Sequence, residues 1–216
     1  MKQQKGFTLV EMAIVLVIIG LLLGGVLKGQ ELIDNSRIKN AVNDLKGVSA
    51  AYNGYLDRFQ RLPGDDGPVA TLQARGGNWA TAVAGNNNGI LEITEAQTFT
   101  GAGENDEFFR HLRYAGFISG DPALAGVAAL PRNAFGGLTG VTGAAVFGFP
   151  AGGRYVCMGS VPGKAARAID ATMDDGAANT GSVRAIVGVN NLAPTLGAPA
   201  VAAYSDDSTY TMCTTL

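Results

Sequence analysis

Two hydrophobic patterns follow one another in the first sixty residues. From Met12 to Leu27 the chain is uncharged and apolar almost throughout, without the polar face that a helix on a water-exposed surface shows. From Ile38 onward, Ala41, Val42, Leu45, Val48, Tyr52, Tyr55, Leu56 and Phe59 recur at three- and four-residue spacing. That is one stripe of an amphipathic helix. Asp34, Arg37, Lys39, Asn43 and Lys46 occupy other positions, and no proline intervenes before Leu62-Pro63-Gly64, which predicts a stop near Arg61. A continuous helix from Phe7 to that point would measure about 80 Å, so half of it is expected to project from a globular part. Tyr52, Tyr55 and Phe59 at helical spacing read as core anchors.

The pattern changes after Pro63. Residues 63–103 are rich in Gly, Asn, Asp and Thr and predict a long connection. Residues 107–117 predict a short helix that stops at Gly116. Residues 144–149, 154–158, 183–189 and 210–214 read as strands separated by turn-forming clusters. An antiparallel sheet fits them, so the expected class is α+β: a long N-terminal helix, half hydrophobic and half amphipathic, packed on a C-terminal β-sheet head.

Composition narrows the functions open to such a chain. Its 216 residues suit one compact domain with an appendage. With 16 basic and 18 acidic residues the net charge is -2, no field for holding phosphate backbones, and no nucleic-acid partner is expected. One histidine and two cysteines are too few for a four-ligand zinc site or an iron–sulfur cluster.

Residues 7–27 are long enough to cross a bilayer, covering about 32 Å as a helix. Lys2 and Lys5 precede them, while Lys28 is soon followed by Glu31 and Asp34, so the charge bias favours a cytoplasmic N-terminus. Val26-Leu27-Lys28 fits poorly as a secretory cleavage point, which needs small residues. A cut after Gly6, where the absent side chain lets a protease approach the backbone, keeps the hydrophobic helix. Glu11 is the exception within the apolar stretch, at a cost of roughly 2.5–3.5 kcal/mol for a charge at the centre of a membrane helix. Cleavage after Gly6 creates an α-amino group on Phe7, and the Phe7 ammonium of a neighbouring copy could meet the Glu11 carboxylate and fix the register between subunits.

The run KGFTLVEMAIVLVIIGLLLG, Lys5 to Gly24, resembles the prepilin leader and first helix of type IV pilins and type II secretion pseudopilins. The resemblance implies a leader at 1–6, a transmembrane and filament-core helix at 7–27, its amphipathic continuation at 28–61 and a Gly-rich head at 62–216. It makes Gly6 the residue before the cut, Phe7 the N-methylated new terminus and Glu11 the assembly glutamate. Gly20 matches a family glycine where the helix can loosen, and Lys28 stands where many members carry a proline, which leaves helix continuity there open. The segments LPGDDGP (62–68), HLRYAGFISGD (111–121) and IDATMDDGAANTGSVRA (169–185) look like those of pseudopilin-like and pilin-like subunits.

By this resemblance the expected function is that of a structural subunit, not an enzyme. The chain enters the inner membrane with its head in the periplasm and polymerises into a helical homo-oligomeric filament, periplasmic or extracellular. The implied partners are a prepilin peptidase/methyltransferase, an inner-membrane platform protein and an assembly ATPase. The alternatives are a pseudopilin of a type II secretion system and a membrane-tethered periplasmic domain that never polymerises.

Three further sets of residues are candidates. Cys157 and Cys213 fall in two predicted strands of an exported head, where disulfides persist, and are expected to pair. In AGNNNGILEITE, Asn86, Asn88 and Glu95 with Gly89 resemble a degraded Ca²⁺ loop whose first ligand is replaced by Ala84. Calcium there competes with a plain structural turn. Major pseudopilins carry calcium in their C-terminal region, so the resemblance also brings in Asp174-Asp175 and Asp206-Asp207. His111 is the sole imidazole, and with no nucleophile elbow or phosphate-binding loop in the sequence it reads as a packing or capping residue.

Overall fold

A computed structural model describes residues 6, 8–197 and 203–216. The leader residues 1–5 and Phe7 lie outside the described residues. The chain divides into two compact units, Met1–Arg37 and Ile38–Leu216.

Helix α1, Leu9–Phe59, belongs to both and stays α-helical through Lys28. In the first unit its side chains are exposed, Leu9, Leu16 and Leu21 among them, and Lys28 pairs with Glu31 one turn on at 2.8 Å. In the second unit Ala41, Val42, Leu45, Val48, Ala51, Tyr52 and Tyr55 are buried, the stripe legible from the spacing. The helix ends as Gln60 turns to a positive φ of 55° ahead of Pro63, a residue that disfavours helix in its predecessor.

The head is α+β, the expected class. Among the described residues its strands are β1 (Thr139–Thr142), β2 (Tyr155–Pro162), β3 (Val183–Val187) and β4 (Thr209–Thr215), in the order β1-β2-β4-β3. Every pairing is antiparallel, and the central pair sets Cys157 opposite Cys213 and Met158 opposite Met212. Strand β2 is buried along most of its length, which is why it reads as a continuous apolar run. The buried stripe of α1 joins one hydrophobic cluster with Val156, Met158 and Met212 from the sheet and with Phe108, Phe109 and Leu112.

Among the described residues the head also has the short α-helices α2 (Val69–Gln73), α3 (Glu104–Tyr114) and α4 (Gly163–Met173). Helix α3 carries acids in its first turn and His111 and Arg113 in its last, as the helix dipole favours. It closes with a Schellman motif, in which Phe117 N–H donates to Leu112 C=O at 2.9 Å and Gly116 N–H to Arg113 C=O at 3.0 Å. Gly116 supplies the required positive φ of 77°.

Two expectations differ from the structure. Residues 144–149 are not a strand, because Phe147 and Gly148 take positive φ values of 52° and 81° and Phe149 N–H turns back to Val146 C=O. The fourth strand is β1 instead. Helix α4 was not expected; Ala165, Ala166 and Ile169 form its buried face, too small an apolar signal to stand out in the sequence.

Candidate functional site

The N-terminal segment is the strongest candidate. Thr8 and Glu11 stand at the Thr-x-x-Glu spacing of a capping box. Thr8 N–H and Thr8 Oγ1 both donate to Glu11 Oε2 at 2.8 Å, and Glu11 N–H donates back to Thr8 Oγ1 at 3.3 Å. The acid that the sequence leaves without a companion thus has one within its own chain, three residues away. Gly6 is exposed, and nothing among the described residues lies within 4 Å of the Cβ position of Gly6, Gly20, Gly24 or Gly25. A bare ridge of this kind lets another helix come close. Among the described residues, one helix is long and apolar enough to cross a membrane, and none of its apolar window is buried.

Residues 1–27 match the family described as the prokaryotic N-terminal methylation motif. That motif is the signature of type IV pilin and pseudopilin prepilin-like proteins, a family of structural subunits. It implies processing by a prepilin peptidase and assembly at a membrane. Glu11, Gly20 and the cut position expected after Gly6 all fall inside the matched residues. No curated protein matches the chain.

In the head, the LPGDDGP segment is a hub of hydrogen bonds. Gly64 N–H donates to His111 Nδ1 at 3.0 Å, and His111 Nε2 lies 2.7 Å from Val83 C=O. Both ring nitrogens are therefore engaged by backbone, in the neutral tautomer with the proton on Nε2. Burial pulls the His111 imidazole below its ordinary range. Asp65 accepts from Asn88 N–H at 3.0 Å and Gly89 N–H at 2.8 Å. Asp66 Oδ2 accepts from Tyr55 Oη at 2.5 Å and pairs with Arg75 at 2.8 Å, while the Arg75 guanidinium lies 4.1 Å from the Phe59 ring centroid.

The residues of the candidate calcium loop are engaged otherwise. Asn86 Oδ1 accepts Asn88 N–H at 3.0 Å and Asn88 Oδ1 accepts Ile90 N–H at 2.8 Å, two successive Asx turns. Asn86 Nδ2 donates to Glu92, not Glu95, and Glu95 opens a short 3₁₀ turn, Glu95–Gln97. Among the described residues no hydrogen bond joins Glu95 to either asparagine. The two asparagine bonds give residues 86–90 an Asx-turn geometry.

Near the C-terminus, carboxylate oxygens of Asp170, Asp174 and Asp175 lie within 4.8 Å of one another. Each already serves the α4–β3 connection. Asp170 accepts from Tyr204 Oη at 2.6 Å and Gly176 N–H at 3.1 Å, Asp174 from Val183 N–H at 3.0 Å, and Asp175 from Thr180 Oγ1 at 2.5 Å. Asp206 pairs with Arg167. Cys157 and Cys213 are buried and joined by a disulfide across β2 and β4, with Cα atoms 4.0 Å apart.

Sequence reasoning missed Thr8, although the capping-box spacing was there to find. It also missed Asp66 with Arg75, whose meeting depends on the turn at residues 62–68 and leaves no local signal.

Proposed function

We propose that this chain is a structural subunit of a type IV pilus-like filament. It is inserted in the inner membrane as a prepilin with its N-terminus cytoplasmic and its head periplasmic, cleaved after Gly6, N-methylated on Phe7 and polymerised. What carries the reading is the coincidence of the matched motif at 1–27 with an apolar helix segment that buries none of its side chains. Such a surface needs lipid before assembly and neighbouring copies after it. One head-to-tail contact repeated without closure yields a helical fibre. A prepilin peptidase/methyltransferase, a platform protein and an ATPase are the partners this cycle needs.

Mass analysis of the mature chain from its native host tests the reading. The expected N-terminus is Phe7 carrying one extra methyl group. A start at Met1, or beyond Leu27, overturns it.

The capping box between Thr8 and Glu11 favours a second reading, in which Glu11 only starts the helix of a non-polymerising membrane tether. Separating charge from hydrogen bonding at Glu11 distinguishes the two.

A further inference from the structure

Arg113 sits in the last turn of α3 and lines a cavity of ≈ 420 Å³. Asn43 and Asp44 of α1, Ser119 of the segment after α3, Arg132 and Thr139 of β1 also line it. Only 9% of Arg113 is exposed, and neither its Nε nor its Nη1 has a hydrogen-bond acceptor. Among the described residues it forms no ion pair. Asp121 attracts it through space, yet burial pulls the guanidinium below its ordinary range.

A buried cation with no partner is a costly arrangement, and the helix dipole at the end of α3 offsets little of that cost. Asp44, the one acid lining the cavity, does not supply the remedy. Its own carboxyl is pushed up by burial with no cation drawing it down. The cavity therefore holds two guanidinium groups against one carboxyl, with the hydroxyl-bearing residues Ser119 and Thr139 beside them.

The chain path holds Arg113 in place. The Schellman turn at Gly116 folds residues 117–121 back over α3, and a Cβ on Gly120, whose φ is +121°, would lie 2.8 Å from Arg113 Nε. Backbone thus covers the Nε edge, and Nη1 is likewise buried without an acceptor. Arg132 stands at the rim, exposed, with Nη1 donating to Gly136 C=O at 3.0 Å. The planar guanidinium fork matches the paired oxygens of carboxylates and phosphates.

We propose that this cavity is an oxyanion-binding site in which Arg113, with Arg132 at the rim, receives a carboxylate or phosphate group, either free or presented by a second copy of this chain. The second source rests on the filament reading; the first does not.

The full-length chain in non-ionic detergent, titrated with sodium phosphate against sodium chloride at matched ionic strength, tests the free source. The unfolding midpoint of the wild type is expected to rise by roughly 4 °C near saturation. R113Q should abolish the rise, and R132Q should weaken the apparent affinity by about tenfold. R132Q alters an exposed residue and keeps the test readable if R113Q folds poorly. For the second source, R113K in the membrane-inserted or assembled protein, treated with a carbodiimide, should give a covalent dimer that the wild type does not give. A phosphate shift equal in wild type and R113Q, or neither a shift nor a dimer, overturns the proposal. Loss of the dimer alone, with the phosphate shift intact, speaks against the neighbouring-copy source and leaves the site.

Discussion

Glu11 accepts two hydrogen bonds from Thr8, one from its backbone N–H and one from its hydroxyl, both at 2.8 Å to the same carboxylate oxygen. The charge that the proposed assembly uses and the cap that starts the helix therefore reside in one side chain. Glutamine at this position keeps the capping geometry and removes the charge. E11Q should hold its helix content by circular dichroism while filament yield drops at least about tenfold, equivalent to ~1.4 kcal/mol of contact energy. T8A removes the reciprocal bond at a cost of about 1 kcal/mol to the helix start, and should leave filaments largely intact. Filaments from E11Q at wild-type yield would leave Glu11 with capping alone.

Tyr55, Asp66 and Arg75 form a second unit of this kind inside the head. The Asp66 carboxylate holds the Tyr55 hydroxyl and the Arg75 guanidinium together, and Arg75 stacks on Phe59 and Trp79. Removing the acid strands a cation and a phenol in the interior, so D66A is expected to cost about 3–5 kcal/mol. Y55F loses one charge-assisted hydrogen bond and should cost about 1.5–3 kcal/mol. Urea unfolding of both single variants and the double variant measures the coupling. An additive double variant would mean that the three groups do not act together.

The turn of α3 that carries Glu107 and His111 makes opposing contributions to acid stability. Burial pushes the Glu107 carboxyl up to about 7 from an ordinary 4.5, although Arg110 beside it pulls the other way. The native state then holds a proton that the unfolded state has released, so this contribution is complete below about pH 4.5 and is lost as pH rises towards 7. Burial moves His111 in the other direction, below 6.5, so its contribution is present above pH 6.5 and is lost as pH falls. Between these limits the two offset each other. E107Q removes one of them, and its urea midpoint should fall more steeply than that of the wild type between pH 6.5 and 5. Parallel pH profiles would show that Glu107 does not titrate in this window.

The parts of this architecture that follow from periodicity could be read from the chain. The stripe from Ala41 to Tyr55 needs only helical spacing, and the run before it only the absence of charge. Strands β2, β3 and β4 announce themselves through Val, Ile, Tyr and Thr. Strand β1 does not, because Thr139-Gly140-Val141-Thr142 has four residues and a glycine, and its place comes from pairing with β2. Helix α4 hides its buried face in alanines. Arg113 is the extreme case: within HLRYAGFISGD it looks like any basic residue at a helix C-terminus, and only the fold-back at Gly116 and the approach of α1 enclose it. Residues defined by spacing were legible, whereas those defined by what a distant segment brings near were not.

The disulfide ties β2 to β4, with Cys157 and Cys213 facing each other in the strand register at a sequence separation of 56. Crosslinking a loop of that length restricts the unfolded chain by about 4 kcal/mol in the chain-entropy model. Because β4 is also the partner of β3, loosening it frees one neighbour of the strand at each side. Reduction, or the C157S/C213S pair, should therefore lower the urea midpoint by the equivalent of roughly 2–5 kcal/mol, with the loss concentrated in amide exchange of residues 183–187 and 209–215. The oxidised mature chain should weigh two hydrogens less than the reduced one. If the reduced protein keeps the same midpoint and the same exchange pattern, the sheet rather than the bond holds the C-terminal strand, and the pairing adds nothing to stability.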